Sequence, residues 1–430
     1  MSRGTMPASL DLAVERPVAG GRMIARHEGR IVFVAGAIPG ERVRARVERF
    51  ARGVMWAETL QILESSPFRR TLDHDPACGG QVYRHIDLAH QRQLKSDVIT
   101  DAFRRVGKIH LDEPTLVEPS LEHGYRLRAR LHVREGRVGF FRTGTHVLCD
   151  AGATGQLLAE TLRAVAQLLA AHPALGATCD AILVAENVPA TERVLHLAAR
   201  DGVPDENLSG LDLPAGVTGL SADGAGGKAT LPGTPFVTDT AADLFGDAPP
   251  VPADTRWRRR APTFFQGNRY LTGPLVRRVL ELVPGGHIAD LYAGVGLFAV
   301  ALAARGGTVV AVEGDQDAAG DLAGNVEFRG DAVRVVHRAV EAALSGLTRH
   351  RFDAVIVDPP RTGLSPEALT GIAALASPVL IYVSCDPPTL ARDAARLLAS
   401  GYTLGPLRAF DLFPNTPHVE VVAPFTRRRA

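Results

Sequence analysis

Three rhythms of apolar and polar positions follow one another along the chain. From residue 9 to about 64, short runs with a two-residue period alternate with Gly/Pro turns, as in "GRIVFVAGAIPGERVRARVERF" and "VMWAETLQIL". That rhythm predicts a small antiparallel barrel. Residues 65 to about 255 mix strand-like runs ("YRLRARLHVREGRVGFF") with a helix-like stretch ("TGQLLAETLRAVAQLLAAH"). A Gly/Pro/Asp-rich segment from 201 to 254 then predicts weak packing, surface hairpins or a linker. From residue 261 strands alternate with helices, the signature of a parallel, doubly wound sheet.

Seven strand-like runs are expected in this last part: "HIADLYA", "TVVAVEGD", "AVRVVHRA", "FDAVIVDPP", "PVLIYVSC", "YTLGPLRAFDLF" and "HVEVVAPFT". The short link between the final two suggests a hairpin added to an otherwise parallel sheet. The expected fold class is therefore α/β. A small OB-like β-barrel (1–64) precedes an α+β central domain (65–255) and a Rossmann-like domain (256–430). In such sheets ligands lie off the carboxyl ends of the strands, so residues just after each run are the candidates for chemistry.

Composition narrows the partners. The chain has 430 residues, 46% of them hydrophobic, enough for two or three separate cores. A formal net charge of +1 gives no global field. Charge is informative only by segment: residues 16 to 70 carry eleven Arg against five Glu, and residues 121 to 147 six Arg against two Glu. Arginine forks suit phosphates and stack on bases, so two basic segments interleaved with strand residues point towards RNA. Four cysteines argue against a disulfide framework and for a reducing compartment. The N-terminal stretch has no apolar core of a secretory leader, and no uncharged apolar run is long enough to span a bilayer. A soluble, cytoplasmic monomer is expected.

The first run leads into "DLYAGVGLFAVALA", in which Gly294 and Gly296 allow a tight turn and close approach to a ligand before a helix N-terminus. Glu313 closes the second run, nineteen residues after Gly294, a spacing that suits a ribose diol. Gly294, Gly296 and Ala299 also satisfy G-x-G-x-x-A, so NAD and S-adenosylmethionine both remain open. The fourth run ends in "VIVDPPRTGLSPE", where Pro359 and Pro360 stiffen a turn presenting Asp358. Arg361 stands where methyltransferases acting on exocyclic amines carry an aromatic. The fifth run delivers Cys385, followed by Asp386-Pro387-Pro388 and a helix expected from about Thr389. A lone cysteine is ordinarily a core residue; its place at a strand end, with Arg361 or Arg392 nearby to favour a thiolate, makes it a nucleophile candidate.

"DPPRTG", "SCDPPTLARD" and "FPNTPHVE" resemble, in order and spacing, the signatures of RNA uracil-5 methyltransferases, which form 5-methyluridine in tRNA or ribosomal RNA. "FFQGN" (264–268) looks like that family's approach to its catalytic domain, and residues 9 to 64 look like its TRAM barrel. The resemblance implies a seven-stranded methyltransferase domain, S-adenosylmethionine as cofactor and RNA as partner. It makes Cys385 the nucleophile towards uracil C6 and Glu420 the base that removes the C5 proton. Flanked by Val419, Val421 and Val422, Glu420 is expected to be desolvated, with a raised pKa. Gln266, Tyr292, Glu313 and Asp358 match positions that contact the cofactor. Leu297 stands where some members have Asn.

Some members of that family hold an iron-sulfur cluster on four cysteines. Here Cys78 is kept, but Leu72 and Gln81 occupy flanking ligand positions, and Cys149 is the candidate for the fourth. Two thiols do not complete a four-thiolate site, so no cluster and no metal are expected, although Cys78 and Cys149 should lie close together. Two rival classes share parts of this pattern. An NAD-dependent oxidoreductase gives no role to Cys385 with Glu420, and a non-catalytic RNA-binding protein needs neither. A cytosine-5 RNA methyltransferase uses similar covalent logic, but the Pro-Cys expected in its fourth-strand motif is absent.

Overall fold

The computed structural model describes residues 9–72, 75–224 and 226–427. Strands Ser9–Pro17, Met23–His27, Arg30–Ala35, Arg42–Ala51 and Val54–Glu64 close into a barrel in which the fifth strand sits between the third and fourth. The period of two decides its inside: Leu10, Leu12, Val14, Val43 and Ala45 point in, and Arg42, Arg44 and Arg46 point out. Those arginines are not free charge. Arg44 forks onto Asp11 (2.7 and 2.9 Å), Arg46 meets Glu58 (2.7 Å) and Arg42 meets Glu64 (2.6 Å) across the strands. The basic excess available to a polyanion lies instead where Arg49 stacks on Trp56 and Arg30 on Phe50.

The central sheet has seven strands. Helices Ala159–Ala171 and Pro173–Thr178 cover one face through Val165, Leu168 and Leu175, which meet Leu131, Val133 and Ile182. Alternation along Arg128–Arg134 sends Arg128, Arg130, His132 and Arg134 to the other face. The glycine-rich stretch is better ordered than its composition suggested. Gly219–Gly224 and Gly227–Gly233 form a hairpin in the sheet, and Val237–Thr240 pairs with Arg256–Arg259. Ala241, Leu244 and Val251 then join Trp257 in the catalytic core, where the indole N–H donates to Leu297 O (3.2 Å). Of the three expected readings, the hairpin holds for 219–233, and 237–251 is neither weakly packed nor a linker, because a few apolar residues spaced among small ones suffice to anchor a segment on a neighbouring core.

The third unit contains the seven expected runs, but its sheet has nine strands. "YTLGPLRAFDLF" breaks at Gly405-Pro406 into Tyr402–Leu404 and Arg408–Phe410, and Leu116–Glu118 adds in parallel beside Arg408–Phe410. Strands Val333–His337, Thr308–Glu313, His287–Leu291, Ala354–Val357 and Val379–Ser384 lie parallel in that order. Glu420–Arg427 then runs antiparallel to Val379–Ser384. Helix Leu88–Ala102 packs Ile99 and Ala102 into this same core. Packing thus cuts across the boundaries read from composition: residues 88–118 and 237–255 lean on the catalytic sheet, because burial follows apolar surface and not chain order.

Candidate active site

Within strand His287–Leu291 the buried run Ile288–Leu291 is apolar except for Asp290, whose two carboxylate oxygens are fully buried and make no hydrogen bond of ordinary geometry. Burial, reinforced by the charge of Asp358, raises its pKa to about 8; the nearby Ala299 backbone acts in the opposite direction and does not prevail. The turn that follows carries Tyr292 and Gly294 at φ 62° and 57° and Gly296 at φ 91°. The two glycines differ in purpose. A Cβ at Gly294 would stand in open space, whereas one at Gly296 would lie 2.6 Å from Leu322, so Gly294 fronts a ligand site and Gly296 packs the helix Leu297–Ala304.

Glu313 ends the neighbouring strand and folds over this turn. Its Oε2 accepts the Gly294 N–H and its Oε1 the Asp315 N–H, both at 2.7 Å. The second lone pair of each oxygen remains for a diol. Tyr292 reaches Glu341 at 3.5 Å. On the other side of Asp290, strand Ala354–Val357 delivers Asp358, which accepts from Gln266 Nε2 at 3.4 Å. Desolvation raises Asp358 to about 7, and the Gln266 bond opposes that rise. A buried carboxyl without a hydrogen bond of ordinary geometry, an open glycine turn and a carboxylate with free lone pairs beside it fit a cationic nucleoside with a ribose. Gln266, Asp290, Tyr292, Gly294, Glu313 and Asp358 are the residues that would hold it.

Cys385 follows strand Val379–Ser384. Asp386 is the N-cap of helix Pro387–Ala399, accepting Thr389 N–H at 2.9 Å, with Pro387 at the first helical position. The helix therefore begins two residues earlier than expected, and the rigid Asp-Pro-Pro turn is its cap and first turn. The thiolate expectation is corrected. Desolvation first, then the carboxyl of Glu420, push the Cys385 thiol up to about 12; Arg361 acts in the opposite direction and does not prevail. Arg392 is engaged elsewhere, by Asp393 (2.8 Å) and Thr362 O (3.0 Å).

Glu420 is 5% exposed, its acidity weakened by burial and by Asp358. Burial also lowers the pKa of His418 to about 4, so its ring is neutral. Glu313 and Asp358 thus both act on Asp290, and Asp358 and Glu420 both act on Cys385. The residue that sequence reading passed over is Asp290, quoted within its motif but given no role. Its signal was a lone acid inside the apolar, buried run Ile288–Leu291.

The profile of the family described as tRNA (Uracil-5-)-methyltransferase matches residues 253–428. The 23S rRNA (uracil(1939)-C(5))-methyltransferase RlmD of Azoarcus sp. (strain BH72) is 32% identical over 442 aligned residues, covering 95% of this chain and 97% of that protein. The chain belongs to the RNA uracil-C5 methyltransferase family. Another RlmD of this family, from Pseudomonas entomophila (strain L48), is 32% identical over 96% of this chain and 93% of its own length. The fold matches the tRNA (uracil-54, C5)-methyltransferase of Pyrococcus abyssi, solved with S-adenosyl-L-homocysteine. The TM-score is 0.74 at 24% identity, covering 96% of this chain and 99% of that one. Membership in this family accounts for the closed N-terminal barrel as a TRAM domain and carries S-adenosylmethionine as the methyl donor.

In the central domain, Cys78 and Cys149 form a disulfide with Cα atoms 5.6 Å apart, so the expected proximity holds. Low cysteine content argued against a disulfide framework, and this single link is not one; it ties the segment after residue 75 to the hairpin end at Leu148–Cys149. Among the described residues, no helix is long and apolar enough to cross a membrane.

Proposed function

We propose that this protein methylates C5 of an RNA uridine through a covalent adduct in which Cys385 adds to C6 and Glu420 later removes the C5 proton. The bound cofactor supplies an electrophilic methyl group on a sulfonium. Cys385 gives its proton to solvent and its sulfur bonds to C6, while the C5=C6 electrons move to an enolate at O4. C5 then takes the methyl group as the methyl–sulfur bond breaks, the electron pair leaving with the thioether of S-adenosylhomocysteine. The Glu420 carboxylate removes the C5 proton, the double bond re-forms, and the C6–S bond breaks to return the sulfur of Cys385.

The observation that carries this reading is the pairing of Cys385 with Glu420. The antiparallel register ends at Ser384–Val421, with Cys385 next along one strand and Glu420 the residue before Val421 on the other, and the Glu420 carboxyl acts directly on the Cys385 thiol. Burial raises both acids in the free site: the Cys385 thiol is pushed to about 12, and the Glu420 carboxyl is held well above the usual carboxylate range by burial and by Asp358. A positive sulfonium beside Asp358 and Glu420 favours their ionised forms, which couples donor binding to the readiness of the base.

The RNA route is proposed along the open face of the central sheet. Arg128 stacks on Phe264 (5.2 Å), which is 58% exposed two residues before Gln266. Further along, His132 stacks on Phe141 (3.7 Å) and Arg134 lies over the same ring (5.4 Å). Cations alternating with aromatic faces suit a single strand with splayed bases. The reacting uridine must leave any stack to reach Cys385. Because the relatives matched along nearly their whole length are named for 23S rRNA, a 23S transcript is the first substrate to test. A tRNA serves as comparison. We propose a cytoplasmic monomer as the working form, which a single monomer-sized species in size-exclusion chromatography checks.

Incubation with 5-fluorouridine RNA and S-adenosylmethionine tests the chemistry, because fluorine cannot leave as a proton does. A denaturation-stable protein–RNA adduct is expected, and none with Cys385→Ala. An adduct that survives this substitution overturns the assignment of the nucleophile.

A further inference from the structure

The turn that precedes Glu420 is fixed from outside the catalytic sheet. Asn415 is 1% exposed and holds φ 63°. Its backbone N–H donates to Gln91 Oε1 (2.8 Å) and its carbonyl accepts Tyr83 N–H (2.8 Å). Its side-chain oxygen accepts from Gln91 Nε2 (3.0 Å) and Arg70 Nη2 (3.2 Å), and its side-chain nitrogen donates to Glu122 Oε2 (3.1 Å). Glu122 in turn holds Arg70 (3.1 Å) and Arg84 (2.7 Å).

The same turn is gripped at both ends. Lys95, itself buried, pairs with Asp411 and reaches Phe413 O at 3.3 Å. Thr416 Oγ1 donates to Phe413 O (2.7 Å) and accepts His418 N–H (3.2 Å). Glycine would serve the left-handed backbone more simply than asparagine, and apolar residues would fill the space around Gln91 and Lys95 at no cost in stability. What the polar set adds is a single permitted placement of the turn. The hydrogen bonds of Gln91, Lys95 and Asn415 go to the turn and to the segments around it, not to Cys385, Asp358 or Glu420, so the network acts on the site through the backbone it holds.

We propose that Asn415 is a positioning residue for Glu420. It sets where the carboxylate meets the C5 proton, and its bonds to the segment between barrel and central domain make that placement depend on the parts that face RNA. This inference rests on the covalent uracil-C5 reading above. Asn415 has no part in donor binding or in the addition of Cys385, so its loss slows only the release of the adduct.

The test uses the full-length Asn415→Ala and Asn415→Gly variants; the glycine variant keeps the left-handed backbone and removes the side-chain bonds. Affinity for S-adenosylhomocysteine and the adduct yield with 5-fluorouridine RNA are expected to match wild type. With ordinary uridine RNA, kcat falls by about ten- to a hundredfold at nearly constant KM, and covalent complex accumulates. Unchanged kcat in both variants, or losses of donor affinity and adduct yield that parallel the loss of kcat, overturn the proposal. If Asn415→Ala does not fold, Glu122→Gln removes one partner at a distance and is expected to show the same split in weaker form. Failure of the wild type to form any adduct refutes the covalent reading instead, so the two failures are told apart.

Discussion

The Glu420 carboxyl acts on the Cys385 thiol beside Ser384–Val421, the last pair in the antiparallel register of two adjoining strands. The two residues lie 35 positions apart in the chain, yet pairing between the strands makes them neighbours. After desolvation, the Glu420 carboxyl is the strongest influence holding the proton on Cys385. Nucleophile and base are therefore electrostatically linked: whichever ionises first makes the other harder to ionise.

Glu420→Gln keeps the shape of the site and removes the base. Methyl transfer to C5 should still occur, but elimination should slow by about 10²–10⁴-fold. Rapid-quench sampling with ordinary RNA should show methylated covalent complex accumulating. A variant that turns over at the wild-type rate would remove Glu420 from the mechanism.

The pH dependence of kcat/KM follows from the raised acids. Cys385 must give up a proton from a thiol pushed to about 12, and Asp358 titrates at about 7. The rate should therefore still be climbing between pH 7 and 9, where an ordinary exposed carboxylate pair would have levelled off. A profile already flat from pH 6 upward would contradict this arrangement.

Asp290→Asn separates stability from binding. Burial raises the pKa of this carboxyl to about 8 in the folded protein, far above the ordinary carboxylate range. A raised folded-state pKa means the stability it contributes is complete below about pH 4 and is lost as pH rises towards 8. Without donor, the asparagine variant should melt higher than wild type at pH 8 to 9, with the gap closing towards pH 4. Calorimetric affinity for S-adenosylhomocysteine should fall in the same variant. Equal melting points at both pH values would show that Asp290 finds a partner in solution.

Reduction of Cys78–Cys149 should destabilise the central domain, because the link spans 71 residues of chain. The chain-entropy argument gives an upper figure of about 4.4 kcal/mol, and native disulfides typically contribute about 2–4 kcal/mol. Differential scanning fluorimetry with and without dithiothreitol measures it, and Cys149→Ser should mimic the reduced protein. Adduct formation at Cys385 should survive reduction, since Cys385 is a free thiol outside that pair.

Some of this molecule was legible in the sequence alone. Period-two alternation fixed the inside of the barrel at Leu10, Leu12 and Val14, because side chains of a strand can only alternate between faces. Strand-to-turn punctuation put Gly294, Asp358 and Cys385 at strand ends, since glycine and proline constrain the backbone locally wherever they occur. Long-range pairing was invisible to that reading. Leu116–Glu118 joined a sheet whose other strands lie at least 169 residues further on, and the glycine-rich 237–251 stretch found its core in Trp257. Charge was equally undecided: Arg42, Arg44 and Arg46 counted as a basic patch until their cross-strand acids were seen. Sequence by itself determined which residues end strands and which carry reactive groups, for those depend on neighbours a few positions away. Only the tertiary structure decided that Cys385 is protonated, that Asp290 is buried without a hydrogen bond of ordinary geometry and that Asn415 ties the turn before Glu420 to distant segments. Burial and hydrogen bonding depend on what the folded chain brings near, not on what precedes or follows a residue along it.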